Sequence, residues 1–286
     1  MRFYQLDNNT KKYIKRLNYN GIKTPTDIYS VDQFIRGLKD LGIYGNMLEA
    51  WFFRKNHNAG SNNIVYAFRD NFNNGTINNI STASWNDRGL VCTANATDSL
   101  SNYINGNLRS NSLQTVSMFS IFMSTPAGME NFTNGYPYVY SLTNKTSYYG
   151  LNAGGGSLST ASFGTNGASW GSSLDNISNT SSIQGNTLFK IVKGSMSLSS
   201  IVVESRNASA TLTSSTATNT RGSIKYDFFV FGGRTDNNGN TYGSTGNFGV
   251  GFNGTHIFHC FFDIDVNFVS FESLFKSTIG KGIDLP

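Results

Sequence analysis

Beyond residue 55 the dipeptide Asn-Gly occurs six times, at 74–75, 105–106, 134–135, 166–167, 238–239 and 253–254. Both residues tolerate the positive φ that two-residue hairpin turns demand, so each pair is a turn signal. Between them lie short runs rich in β-branched and aromatic residues: 115–123 (TVSMFSIFM), 188–192, 198–204, 208–212, 224–231 and 255–262 (THIFHCFF). A chain punctuated in this way predicts many short antiparallel strands. Composition closes other routes. Only 14% of the 286 residues are charged and as many are aromatic, which excludes bulk disorder. The good helix formers are too scarce for a helical bundle. The 36 Asn, 35 Ser and 30 Gly instead suit turns and uncharged outward strand faces. The residues flanking the Asn-Gly pairs do not match one another, so they mark no sequence repeat.

The first 55 residues differ. They hold ten Lys or Arg against five Asp or Glu, whereas residues 56–286 hold twelve of each. The pI of about 9.1 therefore describes the N-terminal fifth. Residues 10–17 (TKKYIKRL) place Tyr13, Ile14 and Leu17 on one helical stripe, with lysines opposite. Asn20-Gly21 and Thr24-Pro25 break the chain. A second helix is expected from Ser30, with Gln33 at the capping-box position. Val31, Phe34, Ile35, Leu38 and Leu41 follow the 3.6 period there, and after Gly42 the stripe resumes at Met47, Leu48 and Trp51. Two helices with one apolar face each must pack on the following domain or on another chain. A closing helix is expected at 267–277, with Phe268, Phe271, Leu274 and Phe275 as its stripe.

Catalytic constellations are weak. Glu49, Glu130, Glu204 and Glu272 are the only glutamates, and Asp263-x-Asp265 is the only close acid pair; it reads as a strand-to-helix turn rather than a glycosidase dyad. His256 and His259, three apart on a strand, should point to opposite faces, and His57 has no partner visible in sequence. Asp236-Asn-Asn-Gly misplaces the glycine of a calcium loop. Gly249-x-Gly251-x-x-Gly254 precedes a strand where a dinucleotide site needs a helix. Cys92 and Cys260 are expected as two separate buried thiols. Lys11, Lys12, Lys15 and Arg16 could meet phosphates, but so short a cluster favours a solvated or protein-docking face. No run approaches the roughly 18–20 apolar residues of a membrane span, and the N-terminus lacks a signal-peptide core. No cofactor, metal, nucleic-acid or membrane partner is expected.

Four stretches in order, 31–48 (VDQFIRGLKDLGIYGNML), 72–92 (FNNGTINNISTASWNDRGLVC), 224–239 (IKYDFFVFGGRTDNNG) and 251–282, resemble concanavalin A-like (LamG-like) jelly-roll proteins found among virion structural proteins of tailed bacteriophages. The acidic run of their final helix is reduced here to Glu272. The resemblance implies a mainly β, antiparallel jelly-roll sandwich over 56–286, preceded by a basic helical docking segment over 1–55 and closed by a short helix. It implies a non-enzymatic virion protein, made in the host cytoplasm, decorating a capsid or belonging to a tail or fibre. Docking on other virion proteins, and homo-oligomerisation, would use Tyr13, Lys15, Arg16, Phe34, Leu38 and Leu41. The alternative is a carbohydrate-binding adhesin module contacting host surface glycans, with Trp85, Trp170 and Tyr242 as candidate sugar-stacking residues.

Overall fold

The computed structural model describes residues 5–58, 63–78, 83–92, 103–108, 115–124, 138–143, 148–155, 157–166, 173–179, 189–206, 211–218, 228–232, 234–235, 241–242 and 254–283. The fold is mainly β, with helices at both ends of the chain. Helices α1 (Asn8–Tyr19) and α2 (Ile28–Asp40) come first. Strand β1 (Met47–Phe52) and the short helix α3 (Lys55–Asn58) follow. Among the described residues, seventeen further strands lead to α4 (Phe268–Ser277).

The first sheet contains β4 (Ser84–Trp85), β5 (Leu90–Cys92), β7 (Val116–Ser124), β12 (Phe189–Met196), β13 (Ser200–Arg206), β14 (Leu212–Thr218) and β18 (Gly254–Phe262). Its order is β14-β13-β12-β7-β18-β5-β4, and β1 also pairs with β18. The second sheet runs β11-β10-β9-β8-β15-β6-β3-β2. Those strands are β2 (Ile64–Val65), β3 (Gly75–Asn78), β6 (Tyr103–Asn107), β8 (Tyr138–Thr143), β9 (Tyr148–Gly155), β10 (Ser157–Asn166), β11 (Ser173–Asn179) and β15 (Phe228–Phe231). A separate ribbon joins β16 (Arg234–Thr235) to β17 (Thr241–Tyr242). Among the described residues every strand pair is antiparallel, as the hairpin-rich sequence predicts.

Strand β7 shows how the layers are arranged. Val116, Met118 and Phe122 enter the core between the two sheets, while Phe119 and Ile121 enter a second core on the other face. The neighbours Ile121 and Phe122 are both buried, on opposite sides. The inner core holds Trp51, Phe53, Phe229, Phe231 and Phe261. Trp51 lies 4.5 Å from Phe229 between ring centroids, which locks the sheets together. The outer core is built where α1, α2 and α4 cover the first sheet. Phe34 meets Phe258 and Phe271 edge-on at 5.5 and 5.8 Å, and Phe119 stacks on Phe271 at 3.8 Å. Arg206 grips Glu272 with two guanidinium nitrogens at 2.6–2.8 Å, tying β13 to α4.

This layer corrects the docking expectation. Tyr13, Phe34 and Leu38 are fully buried within the chain itself, because an amphipathic helix buries its apolar stripe on the nearest apolar sheet face. The apolar faces that suggested homo-oligomerisation are therefore covered in cis. The boundary at residue 55 is corrected too. The 47–51 run does not continue the second helix: Gly42 adopts φ 71, ending α2, and β1 pairs with β18 from Met47↔Phe262 to Phe52↔Phe258. Residues before 55 thus supply both a strand and the central tryptophan of the sandwich.

The closing helix forms where its local signals place it, with Asn267 Oδ1 accepting from Ser270 N at 2.9 Å. Helix α2 instead begins after Asp27, whose side chain makes no cap bond because it faces His57, Arg54 and Asn56. Asn105-Gly106 is no turn: it lies within β6, paired to β15 and β3. A Cβ on Gly106 would sit 2.5 Å from the Asn74 carbonyl and 2.6 Å from the Phe229 ring, so close strand packing requires the glycine. The Asn-Gly pairs at 134–135 and 238–239 lie outside the described residues, as do the calcium-like run 236–240 and Gly249 and Gly251.

Candidate functional site

Among the described residues, three largely buried polar clusters stand out. In the first, Tyr13 Oη lies 3.0 Å from His57 Nδ1, and His57 Nε2 lies 2.9 Å from Asp27 Oδ1. A carboxylate only accepts, so Nε2–H donates to Asp27, and in the neutral ring Nδ1 accepts the Tyr13 hydroxyl. Arg54 donates to Asp27 Oδ2 at 2.6 Å and Asn56 to Oδ1 at 2.8 Å. Burial raises the Asp27 pKa, but these donors outweigh it and hold the carboxyl well below the usual range. Burial also pushes the Tyr13 phenol up. Tyr13 and His57 have no exposed surface, so this relay fastens α1 to the 27–57 region rather than meeting a substrate.

The second cluster surrounds Glu49, a single acid in the apolar run MLEAWFF. Its carboxylate accepts from Ala50 N at 3.0 Å, Arg69 N at 2.6 Å, Asp70 N at 3.0 Å and Asn73 Nδ2 at 2.9 Å. Burial raises its pKa to about 7 against the pull of those four donors. A perturbed, buried acid can signal catalysis; this one has no exposed surface and serves to anchor the 69–73 loop.

The third cluster overturns a sequence expectation. His256 and His259 do not point to opposite faces: His256 Nδ1 is 2.9 Å from His259 Nε2, and His259 Nδ1 is 2.8 Å from Ser120 Oγ. A register shift between His256 and Phe258 sends Ile257 and Phe258 both to the outer core, so the third residue on returns to the inner face. The imidazoles lie among Phe53 and Phe231, the latter stacked on His259 at 4.4 Å. Burial lowers the His256 pKa to about 3, and burial together with His256 lowers that of His259 well below its usual value.

Cys92 and Cys260 are free and buried, as two separate thiols. Burial pushes the Cys92 thiol up to about 12, far from the reactive thiolate range. Asp265 pairs with Lys193 at 2.7 Å, and Asp263 N donates to the Asn46 carbonyl at 2.9 Å, so the two acids shape a turn. Among the described residues, no group of three or more His, Cys, Asp or Glu could hold a metal ion. Among them, too, no helix is long and apolar enough to cross a membrane.

At the surface, Trp85 is the best-placed of the three candidate sugar-stacking residues. It ends β4, the edge strand of the first sheet, where Trp85 pairs with Leu90. The ring packs on the inner core and remains half-exposed. The turn beside it is rigid: Asn86 N donates to the Gly89 carbonyl at 3.0 Å, and Asn86 Oδ1 accepts from Arg88 N at 2.8 Å and Gly89 N at 2.7 Å. Asn86, Asp87 and Arg88 are exposed beside the indole. An edge ring flanked by hydrogen-bonding groups can take the apolar face of one sugar and the hydroxyls around it. Tyr242 lies in β17, paired with Arg234, away from β4 in the strand order. Trp170 lies outside the described residues.

The docking candidates divide. Tyr13, Phe34 and Leu38 are internal. Arg16 turns inward to the Ala67 and Phe68 carbonyls. Leu41 is 44% exposed, and Lys15 is exposed. Sequence spacing had no means to join Tyr13, Asp27 and His57, which lie far apart along the chain. A lone Glu inside an apolar run was the available signal for Glu49.

No family model matches the sequence, and no curated protein matches it significantly. Solved structures share the fold. A receptor binding domain aligns with TM-score 0.52 and 10% identity over 84% of this chain and 53% of its own. The botulinum neurotoxin serotype D binding domain aligns with TM-score 0.51 and 8% identity, over 83% and 52%. The serotype D ligand binding domain in complex with N-acetylneuraminic acid aligns with TM-score 0.50 and 10% identity, over 84% and 52%. This chain spans about half the length of these structures. At such identity the likeness establishes the β-sandwich fold of a class that includes binding domains.

Proposed function

We propose that this chain is a non-catalytic glycan-binding β-sandwich module that takes terminal sugars at the Trp85 edge. The supporting observation is the fold shared with binding domains, one of them in complex with N-acetylneuraminic acid. The half-exposed Trp85 beside Asn86, Asp87 and Arg88 provides the stacking surface and polar rim such binding needs. The test is a glycan array followed by calorimetry with sialylated and neutral oligosaccharides. Trp85→Ala should weaken binding at least tenfold with the melting curve checked in parallel, and Arg88→Ala should weaken sialylated ligands more than neutral ones. Saturable binding that survives Trp85→Ala would defeat the site assignment, and an empty array would defeat the function.

A second reading is favoured by the ordered sequence stretches at 31–48, 72–92, 224–239 and 251–282. It makes the chain a structural component of a bacteriophage particle, with the sandwich facing outward. Mass spectrometry of purified particles should find it at stoichiometric levels; its absence from them would remove this reading.

A further inference from the structure

Four of the five acids of the first 55 residues are engaged within the molecule and the fifth, Asp40, is exposed, while most of the lysines there have no acidic partner. Asp7 pairs with Lys39 at 2.7 Å, Asp32 with Arg36 at 2.7 Å and Asp27 with Arg54 at 2.6 Å, while Glu49 accepts four internal hydrogen bonds. The described arginines of this segment are also held by backbone carbonyls. Arg16 reaches the Ala67 and Phe68 carbonyls, Arg36 the Gln5 carbonyl, and Arg54 the Ile279 carbonyl at 2.5 Å. What remains outside without an acidic partner is mainly lysine. Lys11, Lys12, Lys15 and Lys23 are exposed, and among the described residues none of them makes an ion pair.

Their placement is ordered by α1. Thr10, Tyr13 and Leu17 are its buried side, which fixes the direction of the opposite face. Lys11, Lys15 and Tyr19 follow one another at i, i+4 and i+8 along that face, with Lys12 beside Lys15 at i+3. Tyr19 is 90% exposed at the end of the row, and Lys23 follows in the next loop. Like charges at this spacing repel and weaken a helix; an anionic partner reverses the sign.

We propose that the outer face of α1 is a docking surface for an acidic glycan chain, distinct from the Trp85 edge. Charge complementarity selects an anion, and the exposed Tyr19 ring adds an amphipathic platform for a sugar face at the end of the cationic row. The absence of arginine from this face favours carboxylates over phosphates. Arginine supplies the planar fork that matches phosphate and dominates nucleic-acid recognition, whereas lysine is a hydrated point charge. This surface stands independently of the Trp85 reading, since the two sites use different residues and different forces.

The test titrates the full chain with polygalacturonate, neutral dextran, single-stranded DNA and polyglutamate, the three polyanions matched in charge. Polygalacturonate should bind at 50 mM NaCl and weaken at least tenfold at 300 mM, as exposed charges are screened; dextran should not bind. Lys11→Gln/Lys12→Gln/Lys15→Gln should weaken binding at least tenfold, Tyr19→Ala about threefold, and Trp85→Ala not at all. The corresponding triple Lys→Arg variant should keep binding, and every variant except Trp85→Ala should melt as the wild type does. Undiminished binding by the Gln variant, or no binding of polygalacturonate by the wild type, overturns the proposal. Tighter binding of DNA or polyglutamate than of polygalacturonate overturns it in favour of that partner class.

Discussion

The central strands of the first sheet, β7 and β18, are buried on both faces, and the two faces are built differently. The sheet's inner face meets the second sheet through Trp51, Phe122, Phe231 and Phe261, with His256, His259 and Ser120 as a buried polar inclusion. Its outer face meets α1, α2 and α4 through Phe34, Phe119, Phe258 and Phe271, with ion pairs such as Arg54–Asp27 and Arg206–Glu272 near the rim. Sheet against sheet leaves the imidazoles among aromatic rings and keeps them neutral. Helices against sheet leave gaps at their ends where long charged side chains reach both a partner and water. The same strands therefore carry a dry core on one side and a charge-rimmed core on the other.

The largest expected effects test whether both cores belong to one folding unit. Trp51→Ala and Phe34→Ala should each cost about 3–5 kcal/mol and lower a single urea transition seen alike by fluorescence and circular dichroism. Two separate transitions in Phe34→Ala would mean that the helical layer melts alone.

Acid should act through the inner face. The folded-state pKa of His256 is depressed to about 3 from 6.5, so the unfolded chain binds more protons between those values. Stability is full above pH 6.5 and falls with acidification, by about 3 kcal/mol at pH 4 for this group. His256→Gln should flatten that limb of the urea-midpoint profile. Glu49 acts with the opposite sign. Its pKa is raised from 4.5 to about 7, so its contribution is full below pH 4.5 and declines as pH rises through 7, by up to about 3 kcal/mol. Glu49→Gln should remove that alkaline decline; an unchanged profile would show that the four donors keep the carboxylate ionised throughout.

Smaller effects probe the outer rim. Asp27→Asn should cost about 2 kcal/mol, reduced from the cost of breaking a fully buried pair because Asp27 and Arg54 keep some contact with water. Smallest of all, Leu41→Ser should change stability by less than about 0.5 kcal/mol, whereas Leu38→Ala should cost about 2–5 kcal/mol. Equal effects would contradict the burial that separates these two residues of one apparent stripe.

Much of this architecture was legible where signals are local. The stripe Tyr13, Ile14 and Leu17, the closing helix with Asn267 before it, and the strands at 115–123 and 255–262 all rest on neighbours a few residues apart. Three readings failed because distant chain segments decided them. Met47, Leu48 and Trp51 fit a helical period, yet pairing with β18 made them a strand. His256 and His259 fit opposite faces until a bulge restored them to one. Asn105-Gly106 fit a turn, yet the Phe229 ring and the Asn74 carbonyl required a glycine inside a strand. At the surface, sequence supplied Trp85 and Lys15 as candidates but not their exposure.

By itself the sequence determined a β-rich chain with helical ends, because strand runs, caps and amphipathic periods are properties of short windows. It also located the basic charge in the first 55 residues, because charge is counted without reference to contacts. Only the tertiary structure decided what covers the helices. An apolar stripe fits any apolar surface equally well, and the choice of this chain's own sheet depends on a strand and a tryptophan brought together from opposite ends of the molecule. That choice turned Phe34 and Leu38 inward and left Lys11, Lys12, Lys15 and Tyr19 facing out.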